Sequence, residues 1–191
     1  MSSEKIMTDT ESQVLNATIQ AVSELGMRKT SMSEIASRAD VSRQTVYNLF
    51  GTKDAIFHAA IEHMGEQWRL NARKRLAKCD TLSEQLDVLL KVFAIDAYKF
   101  SHSSSFSTDM FVEAYLSAPK AIENFISENR KLYQEVFEPY DAALCEKNSS
   151  AKILADHFDI VCRAYIRDAR SLNHLRELTT AHKELVLAAA R

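Results

Sequence analysis

An all-α fold is predicted by three features of the sequence. There are only 3 Gly and 2 Pro in 191 residues, too few to punctuate the turns that a sheet protein needs. Ala, Leu, Glu, Lys, Arg and Gln, which lose little on entering a helix, recur throughout. Apolar residues return at intervals of three and four, the spacing of one helix face.

The elements follow in order. After a polar tail of about ten residues, helix one carries Val14, Ala17, Thr18, Ala21, Val22 and Leu25 on one face and stops at Gly26. Ser31 and Glu34 have the spacing of a capping box, so helix two starts there, with Met32, Ile35, Ala36 and Ala39 as its apolar face. Asp40 tolerates the left-handed backbone of a sharp turn. Ser42 caps helix three, Arg43 to about Phe50, in which Val46, Leu49 and Phe50 face inward and Arg43, Gln44, Tyr47 and Asn48 outward. Gly51 breaks the chain, and Thr52 caps a fourth helix from Lys53 to about Lys78. Leu82, Leu86, Leu89, Leu90, Phe93 and Ala97 trace a further stripe, and Ser101–Ser107 is a break. One helix is expected from about Thr108 to Ser117, and another from Pro119, a residue suited to a first turn, to about Glu146. Asn148–Ser150 form a loop, and two last helices are expected over about 151–169 and 172–191.

Bulk properties narrow the class. A formal net charge of -2 neither demands nor excludes a nucleic-acid partner, because DNA binding needs only a local basic surface. Cys79, Cys145 and Cys162 are far apart and form no CxxC pair, which fits reduced, structural thiols. No apolar run approaches the roughly 18 residues of a membrane-spanning helix. The N-terminus lacks the apolar core of a signal peptide, so a cytoplasmic protein without a membrane partner is expected. His58, His63, His102, His157, His174 and His182 show no metal-ligand spacing, and no Gly-rich phosphate loop or local catalytic signature occurs. Neither a metal, a cofactor nor an enzymatic activity is expected.

The informative stretch is the pair of short helices joined by a tight turn, the second with a polar outer face. That is a helix-turn-helix, whose second helix must lie in the major groove. Arg pairs bidentately with guanine, and Gln or Asn with adenine, which assigns base reading to Arg43, Gln44 and Asn48. Thr45 can reach a base or a thymine methyl, Tyr47 can donate to a phosphate, and Lys53 can neutralise another. Thr30, Ser31 and Ser33 can touch phosphate at a helix start, and plain capping explains them equally well.

This stretch resembles the DNA-binding domain of the TetR family. The features that carry the resemblance are Thr30 and Ser31, Ile35 and Ala36, Ala39-Asp40-Val41-Ser42, Thr45-Val46-Tyr47, Phe50 and Lys53, and they extend over about Val14 to Ile61. Asp40 departs from the family's usual glycine. The resemblance implies a DNA reader in residues 1–55 and a helical ligand-binding and dimerisation domain in 56–191. It further implies a homodimer on a palindromic operator and a repressor released by a small-molecule effector. A ligand-dependent activator or co-repressed regulator of the same family is the alternative; from another class, the alternative is a helical enzyme or scaffold with a vestigial reader.

Outside the reader the residues are less specific. Most aromatics of the second domain belong to its core. Trp68, Phe93, Phe111 and Tyr115 are the choice for an effector pocket, with packing alone as the competing explanation for Trp68. Arg69, Arg73, Lys74, Arg75 and Lys78 read as a solvated helix end rather than a second DNA patch. The last two helices carry more apolar positions than one buried stripe accounts for, from Ile153 to Val186, which agrees with a four-helix dimer interface.

Overall fold

Helix formation begins where a threonine and a glutamate can satisfy each other's backbone. In the computed structural model, which describes residues 7–102 and 115–190, Thr8 caps α1 (Asp9–Leu25). Its N–H donates to the Glu11 carboxylate at 2.8 Å, while its hydroxyl accepts from the Glu11 N–H at 3.2 Å. Gly26, at φ 79°, ends the helix. Ser31 caps α2 (Met32–Arg38) by accepting from the Glu34 N–H at 3.1 Å. The reciprocal half of the expected capping box is not made, because Arg38 takes the Glu34 carboxylate at 2.7 Å. Arg38 also donates to Glu24 of α1 at 2.6 Å, so one guanidinium ties the two helices.

Asp40 occupies the turn into α3 (Arg43–Phe50) at φ 49°. Only glycine adopts such a backbone freely. Asp40→Gly is therefore expected to stabilise the chain by about 0.5–1 kcal/mol and Asp40→Val to destabilise it. Paired thermal melts check both; equal melting temperatures for all three chains would mean that the turn stores no strain.

The described residues form two compact units. The first draws on residues 7–64, 102 and 115–122, the second on 65–101 and 123–190. The first unit buries Val14, Ala21, Ile35, Ala36, Val46 and Ile56. The long helix α4 (Lys53–Leu76) contributes residues to both.

In the second unit, α5 (Leu82–Leu90) does not continue regularly to Ala97. It passes through a π-helical turn, Lys91–Asp96, into α6 (Ala97–Ser101). Val92, Phe93, Ala94 and Ile95 are all buried, while Lys91 and Asp96 at the two ends of the turn remain partly exposed. The five-residue register of the π turn brings Lys91 onto Asp96 as an ion pair. The single helix expected from Pro119 to about Glu146 is two: α7 (Pro119–Phe137) and α8 (Asp141–Glu146), joined by a 3₁₀ turn over Glu138–Tyr140. Pro139 lacks an N–H to donate and disfavours a helical residue before it, which accounts for the break. Two further helices, α9 (Ala151–Asp168) and α10 (Leu172–Ala189), are capped by Ser150 and Ser171. The helix expected over Thr108–Ser117 falls mostly outside the described residues.

A chain of edge-on aromatic contacts holds this unit together. Phe93 meets Tyr133 at 5.3 Å, Tyr133 meets Phe158 at 5.0 Å, and Phe158 meets Phe137 at 5.8 Å between ring centres. Leu86, Leu89, Leu132, Leu144 and Cys162 fill in around them. Burial pushes the Cys162 thiol far above its ordinary range, leaving it an inert packing group. The buried carboxylate of Asp159 is neutralised by Arg130 at 3.1 Å and Arg163 at 2.8 Å.

Candidate nucleic-acid interface

The outward face of α3 is built by its cap. Ser42 accepts from the Thr45 N–H at 2.9 Å and pairs with the Thr45 hydroxyl at 2.8 Å. Val46 is fully buried and anchors the opposite face. Arg43, Gln44, Tyr47 and Asn48 consequently stand exposed together, and Thr45 is half-buried beside them.

The exposed four form two ladders one helical turn long. Arg43 donates to the Tyr47 hydroxyl at 3.1 Å and lies over its ring at 5.3 Å. Gln44 donates to the Asn48 side-chain carbonyl at 2.8 Å. Both are four-residue spacings, the distance at which neighbouring helical side chains meet. The ladders leave the remaining guanidinium donors, the Gln44 carbonyl and the Asn48 amide N–H groups facing outward. A base edge needs such donors and acceptors.

The flanking residues are placed differently. Lys53, in the first turn of α4, donates to the Arg28 carbonyl at 3.3 Å and rests on the Phe57 ring at 5.2 Å. It thereby joins the α1–α2 turn to α4. Ser31 and Ser33 are exposed, Ser31 as a cap. Thr30 is only 1% exposed and donates its hydroxyl to the Gly26 carbonyl at 2.9 Å. It shapes the turn from inside.

Of the proposed pocket residues, Trp68 packs against the same core cluster that contains Phe93. Phe93 is buried against Tyr133. Trp68 packs edge-on against Phe100 at 5.9 Å and Phe125 at 6.4 Å. Tyr115 is exposed, and Phe111 lies outside the described residues. One partner of Trp68, Phe125, belongs to a pattern visible in the sequence. Phe125, Asn129 and Tyr133 recur at intervals of four on α7, with a polar residue between two aromatics.

The end of α4 makes contacts with α7. Arg73 is paired with Glu135 of α7, Nη2 to Oε1 at 2.9 Å, and Arg69 is half-buried and donates to Asn129 at 3.3 Å. Two members of the basic cluster thus contact α7, Arg73 while remaining exposed to solvent.

Residues 14–60 match the family described as bacterial regulatory proteins, tetR family. The HTH-type transcriptional regulator BetI of Burkholderia thailandensis is 33% identical over 69 residues, which are 36% of this chain and 35% of that protein. The reader, residues 14–60, is a TetR-family domain. The chain spans about a third of the length of the curated relatives it matches. Beyond the reader, solved structures show a common fold. A TetR transcription regulator from Haloarcula marismortui superposes with a TM-score of 0.70 at 17% identity, over 96% of this chain and 97% of that one. A TetR transcriptional regulator from Legionella pneumophila gives 0.67 at 15%, over 95% and 99%. The family is one of regulators, not of enzymes. Among the described residues no helix is long and apolar enough to cross a membrane.

Proposed function

We propose that this chain is a TetR-family DNA-binding transcriptional regulator, a repressor released from a palindromic operator by a small-molecule effector. The observation that carries the reading is the face of α3: four exposed side chains of the residue types that read base edges, fixed by a buried Val46 and a serine cap. On this reading Arg43, Gln44 and Asn48 read sequence, Tyr47, Thr45 and Lys53 hold phosphate, and Ser31 and Ser33 border the same backbone. Residues 1–55 serve as the reader and 56–191 as the effector and dimerisation domain. The protein works in the cytoplasm.

A homodimer supplies the second recognition helix that a palindrome requires, one helical turn of DNA away. Ile153, Ile160 and Leu185 support it, since they stand more than half exposed on α9 and α10. An effector that favours the conformation unable to span both half-sites releases the DNA.

The test is capture of sheared genomic DNA by wild type and Tyr47→Ala side by side, followed by sequencing. Wild type should enrich a discrete palindrome. Tyr47→Ala should weaken all binding by about 1–3 kcal/mol, the worth of a lost hydrogen bond to a charged group. Arg43→Ala should instead relax discrimination by a similar amount, about 1–3 kcal/mol per bidentate base contact. Equal enrichment of cognate and scrambled DNA by wild type would remove the sequence-reading role from α3.

A further inference from the structure

Arg69 is a half-buried cation with no carboxylate in ion-pair contact among the described residues. It lies on α4 beside Trp68, and its one hydrogen bond goes to a neutral acceptor, the Asn129 carbonyl oxygen, at a long 3.3 Å. The neighbouring arginines behave otherwise. Arg73, one turn along the same helix, is held by the Glu135 carboxylate, and Arg130 and Arg163 share the carboxylate of Asp159. The carboxylates nearest to Arg69 act on it only through space, and one of them, Glu128, is taken by Lys131 at 2.6 Å. Desolvation by burial is the largest influence on Arg69 and pushes its guanidinium below the ordinary range. A guanidinium in such a position costs free energy until an anion joins it.

Its surroundings are apolar and specifically shaped. Trp68, Phe100 and Phe125 form an aromatic group at its side. The α4 backbone passes Phe125 so closely that a Cβ at Gly65 would stand 2.5 Å from the Phe125 ring and 3.0 Å from an Arg69 terminal nitrogen. Glycine in the middle of a helix costs about 1 kcal/mol relative to alanine. Here its missing side chain is what lets ring and guanidinium lie together. Asn129 is 3% exposed, so the one neutral partner is held in place.

We propose that Arg69 and Asn129, with the aromatic wall of Trp68, Phe100 and Phe125, bind a small apolar carboxylic acid, and that this acid is the class of effector. The carboxylate completes the guanidinium through charge-assisted hydrogen bonds, and the aromatic or alkyl body of the acid packs on the rings. This inference rests on the ligand-responsive reading for its biological role, and on this half-buried cation for its chemistry. Trp68, the one tryptophan of the chain, reports occupancy directly.

The experiment titrates the full-length protein with benzoate, phenylacetate and octanoate, and with the primary amide of each, following Trp68 fluorescence. The acids should shift the emission and bind at least about tenfold more tightly than their amides, as expected when a charged partner is replaced by a neutral one. Arg69→Met should abolish that preference while the amides bind as before, and Arg69→Lys should restore part of it. Equal affinity for acids and amides in wild type overturns the proposal without any variant having to fold, and so does the absence of a response to every acid. Parallel release of captured DNA separates the two readings. Release by the amides alone would keep the ligand-responsive regulator and overturn the acid site. Tight acid binding with no effect on DNA would keep the site and remove its role as effector site.

Discussion

Replacing Phe158 by alanine should cost about 3–5 kcal/mol of folding free energy, the range for a large aromatic removed from a packed core. The side chain is fully buried, and three rings converge on it: Tyr133 at 5.0 Å, His182 at 5.4 Å and Phe137 at 5.8 Å. The first and last belong to α7 and the second to α10, so Phe158 of α9 is the shared contact of three helices. Its deletion removes the edge-to-face contacts as well as the buried area, and the rigid rings around it cannot easily close the void. Phe158→Leu should lose much less, because it refills most of the volume. Denaturant unfolding at fixed protein concentration measures both, the concentration held constant because self-association would add to apparent stability. A loss under about 1 kcal/mol for the alanine variant would show that the aromatic chain is not what organises this unit.

Acidification from pH 7 to pH 4 should destabilise the protein by up to about 3 kcal/mol through His182 alone, the free energy of a shift of two to three pKa units. The residue is 1% exposed, and its Nε2 has no hydrogen-bond partner among the described residues. Burial pushes its pKa down to about 4, with the neighbouring His157 ring contributing in the same direction. The groups facing it are His157, Phe158 and Tyr165 of α9, none of which offers a negative charge to an imidazolium. Above pH 6.5 both folded and unfolded chains carry the ring neutral, and stability is at its full value. As the pH falls below 6.5 the unfolded chain takes up a proton that the folded chain refuses, and stability drops until about pH 4. His182→Leu, of similar volume and without a titrating ring, should flatten this part of the pH–stability curve. An unchanged slope in the variant would assign the acid sensitivity to carboxylates such as Glu135, which its hydrogen bond from Arg73 holds below the ordinary range and whose stabilisation is lost in the same direction.

The reader was legible because its signals are local. Ser31, Asp40, Ser42, Gly51 and Thr52 each act on backbone within a few residues, and each sits where its chemistry requires. Thr8 and Glu11 make an equally local box, yet they lie in a tail whose polarity masks the start of α1. The π turn was hidden because a stripe at intervals of three and four looks the same whether or not one residue is surplus; only the ion pair at a spacing of five betrays it. Pro139 was written in the sequence, but the apolar pattern continues on both sides of it and gives no notice of the break. Least legible was the surrounding of Arg69. Its partner Asn129 is sixty residues away, so the decisive quantity, the absence of a paired carboxylate among the described residues, belongs to tertiary structure alone. Periodicity records which face a residue takes, not what waits opposite.

On the proposed DNA-reading role, the two ladders on α3 carry a kinetic meaning. Side chains that already hold one another have surrendered part of their rotational freedom before they meet DNA, and immobilising a long side chain on binding otherwise costs about 0.5–1.5 kcal/mol. A helix so arranged meets the groove as a ready surface, which favours fast capture. On the same reading, neither ladder has to break before a base is met. Arg43 keeps guanidinium N–H groups outside its bond to Tyr47, and Gln44 keeps its carbonyl and its second amide hydrogen outside its bond to Asn48. The unbound helix is thus already set in the posture that contact would require.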